Sequence, residues 1–152
     1  MNILDNVDRR ILALLQCDAT LSIADVAERV GLSQTPCWKR IKRLEADGII
    51  TDRVALLDRA KLGVGTTVFV SVRTSQHDED WLVQFAQAIG AIPEVTEFYR
   101  MSGDVDYLLK IVCRDIADYD RIYKEMIRAA RLSDVSSSFA MEQIKYTTEV
   151  PL

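Results

Sequence analysis

The hydrophobic pattern of this chain changes character near Gly63. Upstream, apolar residues recur at the three- and four-residue spacing of an amphipathic helix. Downstream, stretches such as "TTVFVSVRT" alternate β-branched and polar residues as a half-buried strand does. At 152 residues there is room for one ordinary domain or two small ones. The change of period therefore predicts an α+β protein of two units, residues 1–62 and residues 63–152.

In the first unit Asp5 can cap a helix with Val7, Ile11, Leu14 and Leu15 on one face. Ser22 caps a second, with Ile23, Val26, Ala27 and Val30 at i, i+3, i+4 and i+7. Gly31 supplies the left-handed residue that ends a helix, and Ser33 is a new N-cap two residues on. A three-residue turn containing Gly between two helices is the helix-turn-helix signature. Pro36 agrees with this start: as the third helical residue it lacks an N–H that would have no intrahelical acceptor.

The third helix sorts by angle. With Cys37 inward, Ile41 and Leu44 lie within about 40° of it, while Thr35, Lys39 and Lys42 point away, flanked by Trp38 and Arg43. Such a helix can enter a major groove, its tip reading base edges while Lys and Arg hold phosphates. The DNA-binding candidates are Ser33, Gln34, Thr35, Pro36, Trp38, Lys39, Arg40, Lys42 and Arg43. A solvated basic face on an ordinary three-helix bundle would use the same residues. Gly48 ends the helix, and alternating Ile50, Val54 and Leu56 in "IITDRVALLDRAKLG" predict a short strand or hairpin, the wing, and then a linker.

The second unit reads βαββαβ. Strands are expected in "TTVFVSVRT", "VTEFYRM", "VDYLLKIVC" and "VSSSFAMEQIKY". Between them stand a helix with Leu82, Phe85, Ala86 and Ile89 on one face and another with Tyr119, Ile122, Tyr123, Met126 and Ala130. Ser102-Gly103-Asp104 signals a tight hairpin between the second and third strands. This order predicts a ferredoxin-like sandwich, two helices on one face of an antiparallel sheet. Phe69, Ser71 and Arg73 would then share the open face with Asp106, Leu108, Lys110 and Val112, and a half-apolar open face implies self-association.

Composition excludes several classes. A hydrophobic fraction of 49% rules against disorder, and no apolar run approaches the ~20 residues of a membrane span. The start "MNILDNVDRR" lacks a basic, apolar leader, so a cytoplasmic protein without membrane partners is expected. Cys17, Cys37 and Cys113 form no cluster and are expected as small buried hydrophobes. With His77 the only histidine, neither a zinc site nor a His-dependent triad is expected, and no metal or cofactor. Residues 1–62 carry 10 basic and 9 acidic side chains, against 9 and 14 in the remainder. DNA binding does not conflict with the overall charge of −4, because the field that matters is local. The acidic second unit lacks the aromatic pattern with which βαββαβ modules stack RNA bases.

The stretches "LDNVDRRILALLQCDATLSIADVAERVGLSQTPCWKRIKRLEADGII", "SGDVDYLLKI" and "EQIKYTTEVPL" together resemble the Lrp/AsnC (leucine-responsive and asparagine-responsive, feast/famine) regulators, nearly end to end. The resemblance implies an N-terminal winged helix-turn-helix and a C-terminal ligand-sensing domain. It also implies double-stranded DNA as partner, an amino acid as effector, and homodimers that assemble to octamers. Carried over, the DNA-reading segment is Ile23 to Lys42, and the effector region is Ser102, Gly103, Asp104 and Asp106 with Ser138 on the last strand. Backbone N–H groups around Gly103 could hold an α-carboxylate and an Asp an α-ammonium, although Asp104 and Asp106 would serve equally as hairpin carboxylates. Arg53 stands where the family commonly has an aromatic, and "LSDV" replaces Leu-Pro-Gly-Val. An enzyme is the rival class, but no P-loop, Rossmann fingerprint or nucleophile elbow is present. A second rival is an architectural protein that binds all DNA alike and ignores amino acids.

Overall fold

The computed structural model describes residues 4–74, 79–129, 132 and 134–152. His77, Ala130 and Ser133, which entered the expectations above, lie outside the described residues. Two compact units are present: Met1–Ala55 with Lys145–Leu152, and Leu56–Ile144. The division thus falls earlier than the boundary expected after residue 62, and the last residues belong with the first unit. Gln16 holds that returning segment: its Nε2 donates to Val150 O at 3.2 Å, and Val150 N–H donates to its Oε1 at 3.0 Å.

The first unit contains α1 (Asn6–Cys17), α2 (Ile23–Val30) and α3 (Gln34–Ala46). Asp5 and Ser22 each close a reciprocal capping box, with Asp8 and Asp25 at the third helical position. Gly31 takes φ 72°, the left-handed conformation that turns α2 into α3. Ile11, Leu12, Leu15, Val26, Ala27, Val30, Cys37, Ile41 and Leu44 make the core. Leu14 lies only at its margin, and Leu12 is buried in its stead. Cys17, expected inside, is exposed, because it is the last residue of α1 and lies beyond the packed turns.

The expected wing strand is not formed. Residues 51–58 have no regular structure, and Val54, Leu56 and Leu57 are 70%, 62% and 70% exposed. The alternation is real, but a strand is stabilised only by a neighbouring ladder, and the described chain offers this segment none.

The second unit runs β1 (Thr66–Arg73), α4 (Glu79–Gly90), β2 (Val95–Arg100), β3 (Tyr107–Cys113), α5 (Ile116–Ala129) and β4 (Asp134–Phe139). The sheet order is β2-β3-β1-β4, antiparallel throughout, which is the expected ferredoxin-like sandwich. Val68, Val70 and Val72 of β1 and Tyr107, Leu109, Ile111 and Cys113 of β3 are buried against Phe85 and Ile89 of α4 and Ile122 and Met126 of α5. Ala86 is exposed; Trp81 instead stacks on Phe85 at 4.9 Å, a larger apolar surface on the neighbouring turn. β4 stops at Phe139 and not near Tyr146, since pairing with β1 ends at Val68↔Phe139.

Candidate nucleic-acid interface and effector loop

α3 presents two faces that differ in chemistry. Cys37, Ile41 and Leu44 are buried, while Gln34, Thr35, Pro36, Trp38 and Lys39 are exposed, Trp38 by 47%. Ser33 occupies the N-cap position but, unlike Asp5 and Ser22, makes no side-chain cap hydrogen bond. Its hydroxyl and the first-turn amides are therefore not committed to one another. Lys42 pairs with Glu45 at 2.7 Å on the surface, and Arg53 reaches the other oxygen of Glu45 at 3.0 Å.

Arg40 and Arg43 are placed otherwise than a freely exposed basic face requires. Arg40 Nη1 lies 2.6 Å from Asp5 Oδ2 and 2.8 Å from Asp8 Oδ1, and Arg43 Nη2 lies 2.5 Å from Asp8 Oδ2. Asp8 itself is 1% exposed. The reason is angular: Arg40 lies only about 60° from the inward direction of Cys37, so its side chain leans on α1. Asp8's N–H and the Arg40 guanidinium hold the Asp5 carboxyl below its usual range, and the same contact raises Arg40. The sequence marked Asp5 as a cap; nothing in it announced that Asp8 would be buried beneath two arginines.

In the second unit, residues 101–106 join β2 to β3. Met101 N–H donates to Asp106 O at 2.8 Å, and Gly103 takes φ 120°, which an L side chain adopts only with strain. The loop is stitched to the end of β1. Asp106 N–H donates to Val72 O at 3.0 Å, Asp106 Oδ2 accepts from Thr74 N–H at 2.8 Å, and Arg73 Nε donates to Asp104 O at 2.7 Å. Ser102, Gly103 and Asp104 are exposed and Asp106 is half-buried. Ser138 is not beside them: it pairs with Phe69, three residues before Val72, about 10 Å along the strand. Arg73 was placed on the open face by the alternation, but its grip on the loop was not foreseen. Among the described residues, no group of three or more His, Cys, Asp or Glu side chains is arranged to hold a metal.

The open sheet face carries Phe69 and Tyr99, 39% and 50% exposed, beside half-buried Leu108 and Val112. Lys110 and Glu97 pair there at 2.6 Å, and Tyr99 donates to Glu97 at 2.8 Å.

Residues 67–150 match the family model of the Lrp/AsnC ligand binding domain, and residues 4–51 match a winged helix-turn-helix DNA-binding model. The chain belongs to the Lrp/AsnC family. Among Lrp/AsnC-type relatives, the DNA-binding transcriptional activator DecR of Escherichia coli strain K12 is 51% identical over 150 residues, 98% of this chain and 99% of its own. The crystal structure of an AsnC family transcriptional regulator from Agrobacterium tumefaciens superposes with a TM-score of 0.95 at 59% identity, covering 97% of each chain. A regulator from Neisseria meningitidis, solved as a complex with L-Met, gives 0.92 at 32% identity over 98% of this chain and 97% of that one. This Lrp/AsnC protein is a DNA-binding transcriptional regulator and not an enzyme. No described helix is long and apolar enough to cross a membrane.

Proposed function

We propose that this regulator reads a specific operator with the exposed face of α3 and that an amino acid, bound at the loop 101–106, alters its assembly or DNA affinity. The observation that carries the reading is the exposure of Trp38 beside Thr35 and Lys39, opposite the buried stripe of Cys37, Ile41 and Leu44. A large aromatic held in water costs apolar burial, and a groove with thymine methyl groups removes that cost. Ser33, Gln34 and Pro36 form the entering tip; Lys39 and Lys42 hold phosphates. Arg40 and Arg43 are engaged on α1 and stand outside this contact set.

The amino-acid effector is supported by the ligand-binding domain match and by the L-Met complex of the Neisseria relative. Ser102, Gly103 and Asp104 supply exposed polar groups for it, and Asp106 shapes the loop that carries them. Ser138 would join the site only from another subunit, since within one chain it lies farther along the sheet. Homodimers, and octamers built from them, fit the half-apolar open face. The protein would act in the cytoplasm, where the DNA is.

The test selects an operator from random DNA and compares Trp38→Ala with wild type on that operator and on random duplex. Loss of preference for the operator with unchanged binding to random DNA supports the reading; unchanged preference overturns it. A thermal-shift screen of the twenty amino acids tests the effector, because a ligand that binds only the folded state raises the melting temperature.

A further inference from the structure

The recognition helix carries four cations, Lys39, Arg40, Lys42 and Arg43, of which the fold itself neutralises two. We infer that Asp8, seconded by Asp5, is a specificity-determining residue: a carboxylate inside the helix-turn-helix that takes the place of DNA phosphate for Arg40 and Arg43. This rests on the reading of α3 as the DNA-contacting helix.

Both oxygens of Asp8 are occupied, Oδ1 by Arg40 at 2.8 Å and Oδ2 by Arg43 at 2.5 Å. The capping box holds the same carboxylate in place, since Asp5 N–H donates to Asp8 Oδ2 at 3.2 Å and Asp8 N–H to Asp5 Oδ1 at 2.8 Å. Burial then decides which ion pairs survive contact with DNA. If the guanidinium groups turned outward, a carboxylate 1% exposed would be left charged and unpaired, the costly way to break an ion pair. Lys42 and Glu45 form the contrasting case. Their side chains are 56% and 27% exposed, and such a pair is worth little, so Lys42 is free to move to a phosphate.

Two consequences follow. Each cation that reaches a phosphate strengthens binding to every sequence alike, so withholding two of them lowers the non-specific term and leaves base contacts untouched. Moreover, Arg40 and Arg43 stand one turn apart and end on one carboxylate. That fixes the rotation of α3 about its own axis and keeps Thr35, Trp38 and Lys39 facing outward.

The experiment measures the log–log salt slope, counted per helix-turn-helix unit on the duplex, and the ratio of operator to random-DNA affinity in four full-length proteins. These are wild type, Lys39→Ala, Asp8→Asn, and a triple variant, Asp8→Asn with Arg40→Gln and Arg43→Gln, which replaces all three charges by amides. Lys39→Ala should lower the slope by about 0.9. Asp8→Asn should free both arginines, steepen the slope by up to about 1.8 and reduce the operator preference. The triple variant, its helicity checked by circular dichroism, should keep the wild-type slope. A triple variant whose slope falls by about 1.8 shows that the arginines contact phosphate in the wild type and overturns the inference. An unchanged slope and preference in folded Asp8→Asn also overturns it. If Asp8→Asn does not fold, the triple variant alone decides. A wild-type slope in Lys39→Ala would instead remove α3 from the interface, and the inference with it.

Discussion

The backbone N–H of Thr74 donates to Oδ2 of Asp106 at 2.8 Å, so this carboxylate of the loop 101–106 is already a bracket between the ends of β1 and β3. Removing it changes both the loop's shape and the site's charge. The two can be separated. Asp106→Asn keeps an acceptor for Thr74, whereas Asp106→Ala removes the acceptor that buried Thr74 N–H uses, at a cost of about 1 kcal/mol. Thermal unfolding should therefore show Ala well below Asn, with Asn close to wild type. Calorimetric titration of the responsive amino acid should show both variants weakened if the charge holds an ammonium. Full affinity in Asp106→Asn would mean that the residue serves only as a bracket.

Gly31 offers a cleaner test of the turn that makes the helix-turn-helix. At φ 72° an L residue is strained, yet a Cβ built there meets nothing within 4 Å. The whole cost of Gly31→Ala is thus backbone strain, about 1–2 kcal/mol. Denaturant unfolding should report that loss with an unchanged m-value. A neutral result would show that the turn relaxes to a different conformation.

How much of this was legible in the sequence depends on how local each signal is. Caps at Asp5 and Ser22, the N-cap position of Ser33, the break at Gly31 and the inward valines of β1 rest on neighbours a few residues apart, and all appear where the pattern put them. The misses depend on remote partners. Ile50, Val54 and Leu56 alternate as a strand should, but among the described residues no second strand lies beside them, and alternation cannot supply one. Asp8 is polar by type and buried by circumstance, because Arg40 and Arg43 lie more than thirty residues away. The same limit hid Arg73 at the loop and the return of Val150 to Gln16. On α3 the helical wheel put Trp38 and Lys39 outward, and both are exposed. It did not foresee Arg40, whose direction is borderline and is settled by the acid it meets.

Asp118 gives a prediction in pH. The Arg114 side chain, then its backbone N–H, and the Arg121 guanidinium hold this carboxyl far below its usual value near 3.8. A folded-state value below the unfolded one means that the contribution is fully present above pH 3.8 and is lost as pH falls through the folded value. Asp118→Asn should therefore be less stable than wild type at pH 7, and the two unfolding midpoints should converge as the pH falls below about 4. Parallel curves down to pH 2 would refute the assignment. Arg114→Ala should show the same convergence in weaker form, because Arg121 still pairs with Asp118 at 3.1 Å.

The open sheet face supplies the last prediction. Leu108 stands on it between Ser71 of β1 and Tyr99 of β2, half-buried in the single chain, with Phe69 and Val112 on the same side. If another subunit covers this face, Leu108→Arg puts a charge into an apolar contact with no carboxylate placed to receive it. Lys110 already pairs with Glu97, and Asp106 already accepts from Thr74 N–H. Sedimentation at micromolar concentration should show wild type as a dimer or larger and Leu108→Arg shifted towards monomer. Ser136→Arg serves as control, because it places the same charge on exposed β4 backbone beside Ser71 without displacing apolar surface. If both variants dissociate, charge alone opposes assembly and the apolar argument fails. If neither does, assembly uses a different surface. If only Leu108→Arg dissociates, its operator affinity should fall as well, since two helix-turn-helix units on one duplex bind far more tightly than one.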